Sequence, residues 1–320
     1  MKAGDEYFIS DPHNGDISGC SVSGALSCNS PHLRRALPVR REASAARFAS
    51  HLPPPGSSDL TSLSISLPGR REEGEGRRSG THRERGDGNG KNGRALAVGG
   101  MGADLLPRNI LQQYDLRKDV WALLPPMPTP RYDANTHLLA NKLYVAGGRQ
   151  CKRPVKAFEV YDAETRSWTM LPMIPCKRSY GGVIWDTSGR LCLLGGLRQG
   201  GGHQSSKFTK NINIFDTNQG AWLKSEETVA MKTKRADFAV AFLRGRMVVA
   251  GGLGHEPSAL DTVEAFHPQR KKWERLAPMT FPRCSTSYIV IRDRLLVVGG
   301  VNQVPSSAHE ILYVKEEEYL

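Results

Sequence analysis

LAVGG (96–100), LYVAGG (143–148), LCLLGG (191–196), MVVAGG (247–252) and LLVVGG (295–300) are five copies of one pattern, an apolar strand-like run closed by two glycines. The first glycines, Gly99, Gly147, Gly195, Gly251 and Gly299, follow one another at intervals of 48, 48, 56 and 48 residues, each with its partner Gly100, Gly148, Gly196, Gly252 or Gly300. Self-similarity at a fixed period of this size marks a repeat architecture.

Working outward, each diglycine is followed by a loop, a strand-like segment ending in a polar turn, and a tryptophan: QQYDLRKDVW (112–121), AFEVYDAETRSW (157–168), INIFDTNQGAW (212–222) and VEAFHPQRKKW (263–273). Arg131, Arg178 and Arg283 stand ten residues after Trp121, Trp168 and Trp273, and Arg235 stands thirteen after Trp222. Each arginine precedes the next diglycine by sixteen or seventeen residues. Four short strands per unit, divided by Pro, Gly, Asn and Asp, predict an antiparallel meander. The β-branched alternation, with Pro125, Pro126, Pro128 and Pro130, excludes a helical repeat. One such sheet cannot bury both faces alone, so the units are expected to stack radially as an all-β propeller. The diglycine then ends the second strand where backbones approach closely, and the tryptophan is a plate between sheets on the fourth.

These features resemble the kelch repeat, down to the Met-Pro-x-x-Arg-like stretches PMPTPR (126–131), PMIPCKR (172–178) and APMTFPR (277–283). The likeness covers about residues 95–320. In the runs VGGMGAD, PPMPTPRY, KRADFAV and AGGLG it resembles a kelch domain-containing protein of seven repeats and little else. It implies kelch-type blades at 95–128 (partial), 129–175, 176–229, 230–280 and 281–320 (partial). That is about five blades, three complete and two partial, in an open or incomplete ring. Residues 81–94 are polar and offer no first strand for the first unit, and EILYVKEEEYL (310–320) ends without a tryptophan strand. The expectation is an altered, shortened N-terminus relative to a seven-repeat protein, as in a splice variant or a mispredicted gene product.

Residues 1–94 differ in texture. They hold one Tyr, two Phe and no Trp, Pro53-Pro54-Pro55, a Ser-rich stretch and an Arg/Glu/Gly tract at 69–94. So few large apolar groups cannot offset the entropy of ordering, so this segment is expected to be disordered. Asp5 and Glu6, with no apolar run behind them, argue against a secretory signal, and no run approaches a membrane span. Cys20, Cys28, Cys151, Cys176, Cys192 and Cys284 are scattered without metal-ligand spacing, which fits a reduced, cytoplasmic protein with no metal or other cofactor.

The formal net charge is +12. Residues 1–94 hold 14 Lys and Arg against 11 Asp and Glu, leaving 30 against 21 for the repeats. In an up-and-down meander the start of strand one and the end of strand two share a face. Arg131, Arg178, Arg235 and Arg283 therefore belong on one face with the basic post-diglycine loops, which carry Arg149, Lys152, Arg153, Arg198, Lys207 and Lys210, and with Tyr132, Tyr180 and Phe238. The kelch likeness implies that such arginines bind acidic peptides. Recurrence in every unit better fits arginines that bridge blades through backbone carbonyls.

The function expected is a non-enzymatic, monomeric scaffold or adaptor whose basic face holds the acidic segment of a partner protein, with no specific nucleic acid and no membrane. The alternative is a sugar-modifying enzyme, an epimerase or oxidase, for which Asp133 and Asp237 are the available acid/base groups; salt-bridge partnership with Arg131 and Arg235 is their other role. GGGH (200–203) lacks the Gly-Lys-Ser/Thr ending of a phosphate loop, and the histidines lack ligand spacing.

Overall fold

The computed structural model describes the backbone at 21–24 and 63–66, and residues 94–102, 104–115, 118–186, 188–199, 207–223, 230–256, 258–291 and 293–314. Among these the regular elements are all strands. The expected disorder of 1–94, and the KEEE run at 315–318, lie outside the described residues apart from the two short strands Ser21–Gly24 and Leu63–Ser66.

Three units are complete four-stranded antiparallel meanders whose strands run in chain order. The second holds Asn135–Leu139, Lys142–Ala146, Phe158–Asp162 and Ser167–Met170. The third holds Gly182–Trp185, Arg190–Leu194, Ile212–Asp216 and Ala221–Trp222. The fourth holds Ala239–Leu243, Arg246–Ala250, Val263–His267 and Lys272–Leu276. The diglycines close second strands and the tryptophans sit on fourth strands, as the spacing predicts.

The two ends of the array differ from expectation. The first unit has a first strand: Leu63–Ser66 pairs with Arg94–Val98, which continues to Leu111–Asp115 and Val120–Leu124. The polar residues 81–94 are therefore not where that strand is found; LSIS, with its alternating Leu63 and Ile65, supplies it from further upstream. Ser21–Gly24 pairs with Leu63–Ser66 and bridges, at Val22 and Ile289, to Ser287–Ile291 of the last unit. One eight-stranded sheet thus runs from the last unit into the first, where an open arc was expected. The last unit contributes Ser287–Ile291, Arg294–Val298 and His309–Tyr313, and no fourth strand among the described residues.

Second strands are buried on both faces, as in RLCLL and RMVVA, which is why they read as continuous apolar runs. The fourth strands of the first and second units are mostly exposed, whereas that of the fourth unit buries Trp273 and Leu276. The core lies between units. Leu96, Val98, Leu111 and Met127 pack with Leu143, Val145 and Tyr161 of the second, and Phe158 and Ile174 with Val183, Leu191 and Phe215 of the third. Each tryptophan stacks on the aromatic residue opposite it on strand three, with centroids 5.3 Å apart for Tyr161–Trp168 and 5.2 Å for Phe215–Trp222. The indole N–H groups of Trp168 and Trp222 donate to the carbonyls of Pro125 and Pro172 in the preceding unit, both at 2.8 Å. The turn before the tryptophan closes on an aspartate: Asp162 Oδ1 accepts from the N–H groups of Glu164 and Thr165, and Asp216 Oδ1 from those of Asn218 and Gln219.

Candidate binding face

The arginine segments and the post-diglycine loops meet at one end of the units, as the strand order requires. Tyr132 bridges to Arg149, Lys177–Ser179 pairs with Leu197–Gln199, Ala236 bridges to Leu253, and Cys284 to Val301.

The arginines do not face a partner. Arg131, Arg178 and Arg235 are 0% exposed and Arg283 is 1% exposed. Each guanidinium binds the second and third strands of its own unit. Arg131 donates to Val145 O at 3.1 Å and pairs with Glu159 at 2.8 Å. Arg235 donates to Gly251 O and Thr262 O and pairs with Glu264 at 2.8 Å. Arg283 donates to Gly299 O and Ala308 O and pairs with Glu310. Arg178 donates to Leu193 O, Asn211 O and the Asn213 side chain. Meanwhile the main-chain carbonyl of each arginine accepts from the second glycine of the preceding unit: Gly100, Gly148, Gly196 and Gly252 donate to Arg131, Arg178, Arg235 and Arg283 at 2.7–3.0 Å. As direct ligand contacts these four residues are therefore corrected: each straps one unit to the next.

Two aromatic candidates are likewise structural. Tyr132 is buried, and its hydroxyl accepts from the Lys152 N–H at 3.0 Å, propping the loop that carries Arg149 and Arg153. Phe238 is buried against the diglycines of two units. What stays exposed is basic. Lys152 and Arg153 lie on the hairpin Arg149–Gln150/Arg153–Pro154, and Arg198 and Lys207 on the paired strands Leu197–Gln199 and Lys207–Phe208. Lys177 is exposed between them, because Arg153–Pro154 lies beside Lys177–Ser179. The fourth and fifth loops, LGHEPSALD and VNQVPSSA, carry no Lys or Arg, so the positive charge of the loops is concentrated on the second and third units; Lys234, in the place of Lys177, is exposed in the fourth.

Asp133 and Asp237 do not pair with Arg131 and Arg235, whose carboxylate partners are Glu159 and Glu264. They stand two residues after their arginines, in register with Tyr180 and Ser285, and all four have φ between 52° and 56°. Main-chain N–H groups link this row from unit to unit: Asp237 donates to Tyr180 O at 2.8 Å and Ser285 to Asp237 O at 3.2 Å. The Ser285 hydroxyl donates to the Asp237 carboxylate. Burial pushes the Asp133 carboxyl up to about 6, against the Tyr180 hydroxyl and the Arg149 guanidinium, which hold it down. Burial also raises Asp237, against the pull of Ser285. The Arg149 guanidinium lies 5.7 Å from the centre of the Tyr180 ring. Among the described residues no group of His, Cys, Asp and Glu could hold a metal ion.

The residues missed in the sequence are Glu159, Glu264 and Glu310. A signal was available: they occupy the second place of the third strand in FEVYD, VEAFH and HEILY.

A family model described as the KLHDC2/KLHL20/DRC7 Kelch-repeats domain matches residues 90–300. Kelch domain-containing protein 8B of Homo sapiens is 42% identical over 171 residues, 52% of this chain and 48% of that protein, and the Rattus norvegicus protein matches equally. The chain thus spans about half the length of these relatives. The likeness expected from VGGMGAD and PPMPTPRY was to an 8A member of this family, whereas these relatives are 8B proteins. Kelch-like protein 36 of Rattus norvegicus is 25% identical over 66% of this chain and 34% of that protein. Among solved structures, one titled "Structure of YjhT" superposes with a TM-score of 0.53 at 20% identity, over 65% of this chain and 69% of that one, a likeness of fold.

Proposed function

The chain belongs to the kelch-repeat family, and from that premise we propose that it is a non-enzymatic interaction scaffold which holds an acidic segment of a partner protein on the loops of its second and third units. The observation that carries this reading is the exposed set Lys152, Arg153, Lys177, Arg198 and Lys207, on two adjacent units and mounted on paired strands. Like charges gathered on a rigid face attract an acidic peptide and set its orientation. The binding residues in this reading are Arg153 and Arg198, with Arg149 and Tyr180 at their inner margin. We place the protein in the cytoplasm as a monomer, in keeping with its scattered cysteines; no helix among the described residues is long and apolar enough to cross a membrane.

An octa-glutamate peptide labelled with a fluorophore provides the test. Anisotropy should report binding that weakens with salt, and the variant R153E/R198E/K207E should lose it while unfolding at the parent temperature. Undiminished binding by that variant would contradict the reading.

The Asp133–Tyr180–Arg149 group favours one second reading, a sugar-modifying enzyme with Asp133 as acid/base, because a carboxyl held near 6 can exchange protons at neutral pH. Turnover of sialic or uronic sugars, abolished by Asp133→Asn, would replace the scaffold reading with this one.

A further inference from the structure

Four of the five diglycines hold the arginine segment of the following unit by one template. The segments are MPTPR (127–131), IPCKR (174–178), MKTKR (231–235) and MTFPR (279–283), each an apolar residue with an arginine four residues on. The apolar side chain lies beside the first glycine: Met127 beside Gly99, Ile174 beside Gly147, Met231 beside Gly195 and Met279 beside Gly251. Its N–H donates to a carbonyl in the loop of the preceding unit, at Asn109, Lys156, Lys210 and Asp261, over 2.7–3.1 Å. The arginine carbonyl accepts from the second glycine.

The fifth diglycine presents the same groups. The Ser306 N–H donates to Gly300 O at 2.9 Å, as Arg108 does to Gly100 O, so Ser306 and Ser307 stand in the places of Arg108 and Asn109. Among the described residues the Gly300 N–H and the Ser306 and Ser307 carbonyls have no hydrogen-bond partner. Both serines are exposed. No described side chain lies within 4 Å of a carbon added at Gly299. The first unit shows the other half of the join. Gly99 O, Ile110 O and Gln112 take the places of Gly251 O, Thr262 O and Glu264, which hold Arg235. No arginine among the described residues donates to them. Gln112 is neutral, as is Asn213 where it holds Arg178.

One further segment of the chain, outside the described residues, fits the template: LPVRR (37–41), with Leu37 and Arg41 four apart. Its place in the chain suits both halves. Gly24 stands opposite Leu63, and Leu63 opposite Ala97, two residues before Gly99. In the last unit Ser287 stands opposite Val298, one residue before Gly299. The chain between Gly24 and Leu63 therefore leaves and returns at the diglycine end of the first and last units. The twelve residues between Gly24 and Leu37 span up to about 40 Å. The strand of Gly299 lies only two strand spacings from Gly24, about 10 Å. LPGRR (67–71) has the same residue types but starts next to Ser66, which stands opposite Arg94 at the other end of the strand.

We propose that LPVRR is the fifth arginine segment and straps the last unit to the first. The Arg41 carbonyl accepts from the Gly300 N–H, Leu37 packs against Gly299, and the Arg41 guanidinium donates to Gly99 O, Ile110 O and Gln112. A stretch unlike the repeats in texture thereby links the two ends of the array.

The test is hydrogen exchange of the full chain, read by mass spectrometry on peptides spanning Gly300 and Gly148. In the parent the Gly300 amide should exchange at least about tenfold more slowly than in an unstructured chain. Leu37→Asp/Arg41→Gly should remove that protection and leave the Gly148 peptide protected. Leu67→Asp/Arg71→Gly should leave both peptides as in the parent. Free exchange at Gly300 in the parent overturns the proposal. So does undiminished protection in Leu37→Asp/Arg41→Gly, which would give the Gly300 amide to another segment, or an equal loss in the Leu67 and Arg71 variant. The parent alone gives a second readout, independent of any variant's folding: trypsin should cut after Arg41 about tenfold more slowly than after Arg71. Cutting at equal rates overturns the proposal as well.

Discussion

The main-chain N–H of Gly148 donates to the carbonyl oxygen of Arg178 at 2.8 Å, while the Arg178 guanidinium reaches forward to Leu193 O and Asn213 in the third unit. The residue that recurs with the diglycine is its hydrogen-bond partner, and the same side chain fastens the following sheet. Backbone and side chain of one arginine thus join two units, and the join repeats at Gly100–Arg131, Gly196–Arg235 and Gly252–Arg283.

The first glycine of each of the first four pairs is fitted to this join. Gly147 has a φ of +65°, and a Cβ there would run into the Arg178 carbonyl. Gly147→Ala should therefore cost about 2–3 kcal/mol, strain and clash together. Gly189→Ala, at φ +73° with nothing within 4 Å of the added carbon, should cost only about 1 kcal/mol. Urea unfolding of both variants checks this; equal losses would mean that φ alone matters and the close approach does not.

Trp168 ties the second unit to the first through its indole N–H on Pro125 O and packs on Tyr161. Trp168→Phe keeps a ring and loses the hydrogen bond, for about 1 kcal/mol. Trp168→Ala loses both and should cost about 3 kcal/mol. Thermal unfolding that ranks the two variants together would remove the tryptophan from its role between the units.

Asp133 carries a pH dependence of definite sign. Its carboxyl titrates near 6 in the fold and near 3.8 when unfolded, so the folded state holds the proton more tightly. The stability it contributes is complete below about 3.8 and is lost as pH rises through 6. Asp133→Asn should remove that part of the decline, so that the variant loses less stability than the parent between pH 4 and pH 7. Parallel urea-unfolding profiles for the two proteins over that range would rule it out.

Much of the architecture was legible in the chain because the diglycine, the tryptophan and the polar turn act over short distances. Asp162 and Asp216 close their turns within three residues, and each tryptophan lies opposite its aromatic partner across one hairpin. The face of the arginines was legible too, since strand order sets it. Their depth was not. Their side chains are held by partners 27 to 35 residues downstream, at Glu159, Asn213, Glu264 and Glu310, which no local spacing links to them. The first strand of the first unit was hidden for a related reason: Leu63–Ser66 pairs with Arg94–Val98 across a long polar tract that reads as a boundary.

The central claim is that the recurring arginines join units and do not contact a ligand, and the unfolding free energy of Arg131→Ala tests it most directly. Removing this side chain leaves Glu159 buried without its counter-charge and should cost about 3–5 kcal/mol, whereas Arg153→Ala on the exposed hairpin should stay within about 0.5 kcal/mol of the parent. An Arg131→Ala protein as stable as its parent would contradict the account.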